Sequence, residues 1–157
     1  LFCTIEKQGG FTNMMISTKG RYALRIMLDL AQHETDGYIS LKSVSERQAI
    51  SLKYLELVIA MLHKANLVDS MRGKEGGYRL SKDPSEYSIG SILKVMEKTL
   101  APVACMSCGE TACSNKENCL TLPLWQQLDQ IIDTYLESVT LKDLLDGNVQ
   151  IPIMQNA

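Results

Sequence analysis

"SERQAISLKYLELVIAMLHKANLVDSMRGKEGGYRLS" spans Ser45–Ser81, and its reading decides the fold. The break Ala49-Ile50-Ser51 separates two helical patterns. Upstream, Ser40 can cap "LKSVSERQA"; downstream, Ser51 can cap a second helix running to about Ala65. On that second helix Leu52, Leu55, Ile59 and Leu62 recur at three- and four-residue steps and form one apolar face. At ~100° per residue, Lys53, Tyr54, Leu57, Ala60, Met61 and Lys64 point the other way, with Glu56 on the flank. Two helices joined by so tight a turn make a helix-turn-helix. The stretch after it, "LVDSMRGKEGGYRLS", is a pair of strand-like runs around a Gly-rich tip, which reads as a β-hairpin.

Working outward, "KGRYALRIMLDLAQH" follows a cap at Ser17 or Thr18 and repeats apolar residues at Tyr22/Ala23, Ile26/Met27 and Leu30/Ala31. Asp36-Gly37 closes the next turn, and Asp83-Pro84 ends the hairpin. Ser88 caps a helix carrying Ile89, Ile92, Leu93 and Met96. Thr121 is the expected N-cap of a long helix with Pro123 in its first turn, where a missing N–H costs little. That helix runs to about Ser138. Its apolar residues Leu124/Trp125, Leu128, Ile131/Ile132, Tyr135 and Val139 recur at roughly 3.5-residue steps, which suits a partner helix. Thr140 and Asp143 form a capping-box-like start to a final short helix.

A helix, a helix-turn-helix and a two-stranded wing in that order make a winged helix-turn-helix domain. The chain is therefore expected to be mainly α. Residues 1–14 read as a disordered lead, with Met14 and Met15 marking a possible alternative start; 15–100 form the winged, DNA-binding domain. Residues 101–120 are a cysteine-rich loop, 121–146 a dimerisation helix and a short terminal helix, and 147–157 a tail.

Charge divides as well, at the end of the wing. Residues 15–82 hold eleven Lys and Arg against seven Asp and Glu, while 83–157 hold four against ten, for a net charge of −2. A basic first half suits a polyanion such as double-stranded DNA. Arg72, on a slim hairpin beside Gly73, Gly76 and Gly77, has the reach to enter a narrow minor groove. Lys19, Arg21, Lys74 and Arg79 are candidate phosphate contacts or ordinary surface charge, and His33 and His63, with no nearby ligand set, read as structural or solvent-facing. No apolar run approaches the ~18 residues of a membrane span, and no secretory signal is legible, which points to the cytoplasm. No P-loop, HExxH or Ser/His/Asp arrangement is present, so no catalysis is expected.

"CMSCGETACSNKENC" places four of the five cysteines within Cys105–Cys119. Its polar spacers cannot form a core, so something other than burial must order it. Clustered thiols in a reducing compartment favour metal binding or redox sensing over lasting disulfides. A four-thiolate zinc site usually joins two C-x₂₋₄-C units; Cys105/Cys108 make one, and Cys113/Cys119 miss the spacing of the other. A cluster-free thiol switch and an inert loop are further readings. An electron carrier or cluster-assembly protein would use the same cysteines but leaves the helix-turn-helix without a role.

"ISTKGRYALRIMLDLA", "SERQAISLKYLE", "ANLVDSMRGKEGGYRLSKDP" and "NCLTLPLW" resemble the winged-helix regulator family that includes IscR, NsrR and CymR, in unbroken order over about residues 15–146. The resemblance implies a homodimer that binds a palindromic operator, expected here to act as a repressor. It places Ser51, Lys53, Tyr54, Glu56 and Leu57 at the reading positions. Ser51 and Tyr54 suit phosphates and Glu56 suits a cytosine amine, while Leu57 replaces a frequent Gln and so can meet only a thymine methyl.

The resemblance also implies an iron–sulfur cluster that senses redox state, iron or nitric oxide, with Cys119 and Cys113 as ligands and Cys105 or Cys108 as the first of the set. Leu122 stands where IscR-like members carry a histidine ligand, and Arg21 where NsrR supplies an acidic one. With the spare cysteine, Cys105, Cys108, Cys113 and Cys119 complete an all-thiolate set for a [2Fe–2S] or a [4Fe–4S] cluster. Cofactor-free action through a partner enzyme, as in CymR, is the other course the family allows.

Overall fold

The computed structural model describes residues 16–103, 106 and 116–149. The expected lead, Cys105, Cys108, Cys113 and most of the tail lie outside the described residues. Helix α1 (Thr18–Gln32) is followed by the helix-turn-helix pair α2 (Leu41–Gln48) and α3 (Leu52–Lys64). The antiparallel wing β1 (Val68–Met71) and β2 (Gly77–Leu80) comes next, then α4 (Ile89–Met96), α5 (Leu122–Ser138) and α6 (Leu141–Asp146).

Local chemistry explains most boundaries. Ser17, Ser40 and Ser88 each accept a backbone N–H from three residues on, and so cap α1, α2 and α4. Thr140 and Asp143 exchange bonds in a capping box, and Gly147 closes α6 in the left-handed region at φ 70°. Asn66 ends α3 in the same region at φ 57°, with the Leu67 N–H reaching back to the Leu62 carbonyl in a Schellman arrangement.

The core is made where these elements meet. Ala23, Ile26, Met27 and Leu30 of α1 are buried against Leu55, Val58, Ile59 and Leu62 of α3, with Ile92, Leu93 and Met96 of α4 closing the layer. Leu52 departs from its expected place on that apolar face. It is 43% exposed, because the first residue of α3 projects past the end of the packed layer.

Two fixtures hold the wing. Ile39 pairs with Tyr78 by two backbone bonds, and a side chain at Gly77 would collide with the Ile39 carbonyl at 2.3 Å. The buried Tyr87 hydroxyl donates to the Leu67 carbonyl at 2.9 Å and accepts from the Lys82 N–H at 2.8 Å, which clamps the base of the hairpin. Burial accordingly pushes the Tyr87 phenol up.

Helix α5 meets the rest chiefly through its last turns. Lys94 of α4 pairs with Asp133 at 2.5 Å and Glu137 at 2.7 Å, and Ser88 also donates to Glu137. The Ile89 N–H bonds the Val139 carbonyl and the Leu141 N–H bonds the Tyr87 carbonyl, fixing the α5–α6 corner to the start of α4.

Candidate DNA interface and cysteine loop

The reading positions inferred from sequence fall together on the first turns of α3. Ser51, Lys53 and Glu56 are exposed, and Leu57 is 52% exposed, so α1 does not cover it. Met61, on the same outward side, is half-buried against the core. Ser51 holds the N-cap position without a side-chain cap bond, which leaves its hydroxyl for an outside partner at the positive end of the helix. Tyr54 is half-buried, its ring meeting Tyr22 edge to face at 5.4 Å and 83°.

Arg72 is carried apart from these residues by the wing. It is exposed directly after β1, next to Gly73, whose φ of 111° a side chain would oppose. Arg79 is engaged within the chain instead. It stacks 4.8 Å from the Tyr38 ring centroid and pairs with Asp69 at 3.6 Å. Lys74 and Arg21 are exposed, and Arg21 donates to the Thr18 hydroxyl at 3.3 Å.

Sequence reasoning missed what orients α2 beneath this surface. Asp29 of α1 is 1% exposed and accepts Arg47 through both oxygens, at 3.0 and 2.6 Å, and the Gln48 amide at 2.9 Å. Burial alone would raise this carboxyl; the bonds from Arg47 and Gln48 outweigh it and hold Asp29 below its ordinary value. The available signal was a single charged residue between Met27 and Leu30 inside an otherwise apolar stripe.

Of the four cysteines, Cys119 is described. It is half-exposed three residues before α5 begins, at the carboxyl side of a short 3₁₀ turn over Lys116–Asn118. Its Sγ lies 3.4 Å from the Thr121 hydroxyl, and that bond with the Thr121 and Leu122 backbone amides lowers the thiol. Thr121 occupies the expected N-cap position but makes no side-chain cap bond, and its hydroxyl faces the sulfur. Leu122, half-buried, opens the helix and offers no metal-binding atom. Among the described residues no three His, Cys, Asp or Glu side chains gather into a metal-sized group.

The other stem of the loop is tied to α1. Glu97, the residue after α4, accepts both the Ser17 N–H at 2.9 Å and the Ser17 hydroxyl at 2.7 Å on Oε1. A side chain on Gly20 would strike the same oxygen at 2.4 Å.

With this arrangement, the model of the Rrf2 family, described as an iron-dependent transcriptional regulator, matches residues 16–147. The chain belongs to the Rrf2 family. It is 41% identical over 138 residues to the HTH-type transcriptional regulator IscR of Photobacterium profundum, spanning 87% of this chain and 79% of that one. Among solved structures it is similar to the IscR of T. potens, at 37% identity and a TM-score of 0.68 over 90% of this chain and 93% of the other. It is also similar to CymR, the global cysteine regulator of B. subtilis, at 35% identity and a TM-score of 0.70 over 85% and 97%. This Rrf2 chain is thus a winged-helix, DNA-binding transcription regulator and not an enzyme. No helix among the described residues is long and apolar enough to cross a membrane.

Proposed function

We propose that the chain acts as a two-fold dimer that represses transcription from a palindromic operator, and that an iron–sulfur cluster sets its affinity for DNA. Cys105, Cys108, Cys113 and Cys119 would hold the cluster, [2Fe–2S] in the first instance and [4Fe–4S] in the second. The observation that carries this reading is the place of Cys119. Its sulfur, 3.4 Å from the Thr121 hydroxyl, stands at the root of a 17-residue helix none of whose residues is buried. The donor set fits the group, since thiolates are the usual ligands of such clusters.

When bound, the cluster supplies a redox- and nitric-oxide-sensitive centre. The residues of the chain do the rest. Cys119 and Thr121 hold the start of α5, and α5 through Leu124, Leu128 and Ile131 offers an apolar face to a second copy. Ser51, Lys53, Tyr54, Glu56 and Leu57 of each copy would face the major groove, with Arg72 at the minor groove. A two-fold dimer needs its half-sites about one DNA turn apart, so a small shift at the α5 junction alters affinity.

Anaerobic purification with an absorption spectrum, iron and sulfide analysis and DNA binding before and after cluster removal tests the proposal. Visible charge-transfer bands and a change in affinity on removal are expected. Colourless protein with zinc or bare thiols, or equal affinity in both forms at matched salt, would leave a repressor without a cluster sensor. Cys108→Ser with unchanged cluster content and spectrum removes Cys108 from the ligand set.

A further inference from the structure

One exposed side chain of α1 is bound at the corner between α2 and α3. The Arg25 guanidinium donates through Nη2 to the main-chain carbonyl of Gln48, the last residue of α2, and through Nε to the Gln48 Oε1 at 3.1 Å. The same guanidinium lies over the Tyr22 ring, 5.5 Å from its centroid, and Tyr22 meets Tyr54 of α3 edge to face. Gln48 completes the link by donating its amide to Asp29. Arg25 therefore joins the carbonyl end of α2 to an aromatic pair that reaches α3.

The corner itself needs such support. Ala49, the next residue, turns the chain in the left-handed region at φ 53°, which a Cβ disfavours. A helix also leaves its last carbonyls without internal partners, and a cation there meets the negative end of the helix dipole. Arg25 supplies both a donor and a charge at that point.

We infer that Arg25 is a positioning residue for DNA reading: it fixes α2 against α3 and holds the Tyr22–Tyr54 pair, so that the first turns of α3 enter the groove in one register. This rests on the reading of Ser51–Leu57 as the groove-facing segment. An exposed arginine in a DNA-binding protein can instead contact a phosphate. The two roles differ measurably. A phosphate contact strengthens binding to every sequence and adds about one to the slope of log affinity against log salt; a positioning residue strengthens the specific complex alone.

The test is fluorescence anisotropy of the full chain on a duplex selected by the wild type from a random library, beside a scrambled duplex of equal composition, across a series of potassium chloride concentrations. Arg25→Lys is the deciding variant, because it keeps the charge and loses the planar fork that engages both Gln48 oxygens. It should bind the selected duplex roughly tenfold more weakly, the effect of losing about one charge-assisted hydrogen bond. Its affinity for the scrambled duplex and its salt slope should match the wild type, and the retained scrambled binding also reports a folded chain. Arg25→Ala should behave likewise. Wild-type affinity in Arg25→Lys overturns the inference, as does an equal loss on both duplexes in Arg25→Ala with a slope reduced by about one. Lys53→Ala and Glu56→Ala test the underlying reading. If neither weakens the selected complex, the reading of α3 falls and the role of Arg25 with it; if they weaken it and Arg25→Lys does not, only the role of Arg25 falls.

Discussion

Helices α4 and α5 carry similar amphipathic patterns and meet opposite fates. Five of the eight residues of α4 are buried, while α5, more than twice as long, buries none. Leu124 at 60% and Ile131 at 36% exposure lie on a face whose spacing would suit burial. The patterns differ little; the surroundings differ greatly, because α4 lies against α1 and α3 while α5 touches the rest chiefly through its last turns. There Asp133 and Glu137 meet Lys94 and Ser88, and the half-buried Tyr135 and Leu136 pack against the core. Periodicity in a sequence thus specifies a face, and the element that covers the face has to come from elsewhere.

The sharpest way to break this contrast is to replace one apolar side chain in each setting. Leu62→Ala, at a fully buried site, should cost about 3 kcal/mol in urea unfolding, since transfer and cavity losses add. Ile131→Asp should leave the dilute monomer within about 0.5 kcal/mol of wild type and abolish self-association in sedimentation velocity. Retained self-association would show that α5 is not the contact between copies.

A smaller effect is expected at the buried carboxylate. Asp29→Asn should cost about 2 kcal/mol at pH 7, less than a fully buried pair because Arg47 is one-third exposed and can turn to water. Since folding lowers the Asp29 carboxyl, its contribution is complete above the ordinary carboxylate range and is lost as pH falls below about 4. Urea titrations of both proteins from pH 7 to pH 3 should therefore converge. Asp83, Glu137 and Asp143, also lowered by hydrogen bonds, leave a common residual slope.

Leu57→Gln changes preference more than stability. A glutamine at this exposed site can grip adenine with two bonds, so selection from random DNA should shift at one position per half-site by about 1 kcal/mol or more. An unchanged selected sequence would remove Leu57 from the reading surface. The least change is expected for Ala49→Gly, which relieves a left-handed alanine at some cost in chain entropy and should stabilise by about 0.5 kcal/mol in the same urea assay.

Features written in local chemistry were legible in the sequence. The caps at Ser40 and Ser88, the box at Thr140 and Asp143 and the positive φ of Gly73 each depend on residues within four positions, whereas the need for Gly77 comes from Ile39 in a distant segment. Contacts between elements were not legible. Nothing around Glu97 announces that it receives Ser17, eighty residues away, and nothing beside Arg25 announces Gln48. Leu52 was misplaced because it stands at a helix end, where periodicity carries least information, whereas Thr121 holds its expected N-cap position and only its hydroxyl turns elsewhere, to the Cys119 sulfur. At the candidate site the outward residues of α3 followed from the helical wheel, whereas the half-burial of Tyr54 depends on Tyr22 in another helix.

The Glu97–Ser17 link has a mechanical consequence. One carboxylate oxygen anchors the amino end of the first helix to the stem from which the cysteine-bearing segment departs. Displacing that stem would pull on Lys19 and Arg21 within a single helical turn, by a route that does not pass through α5.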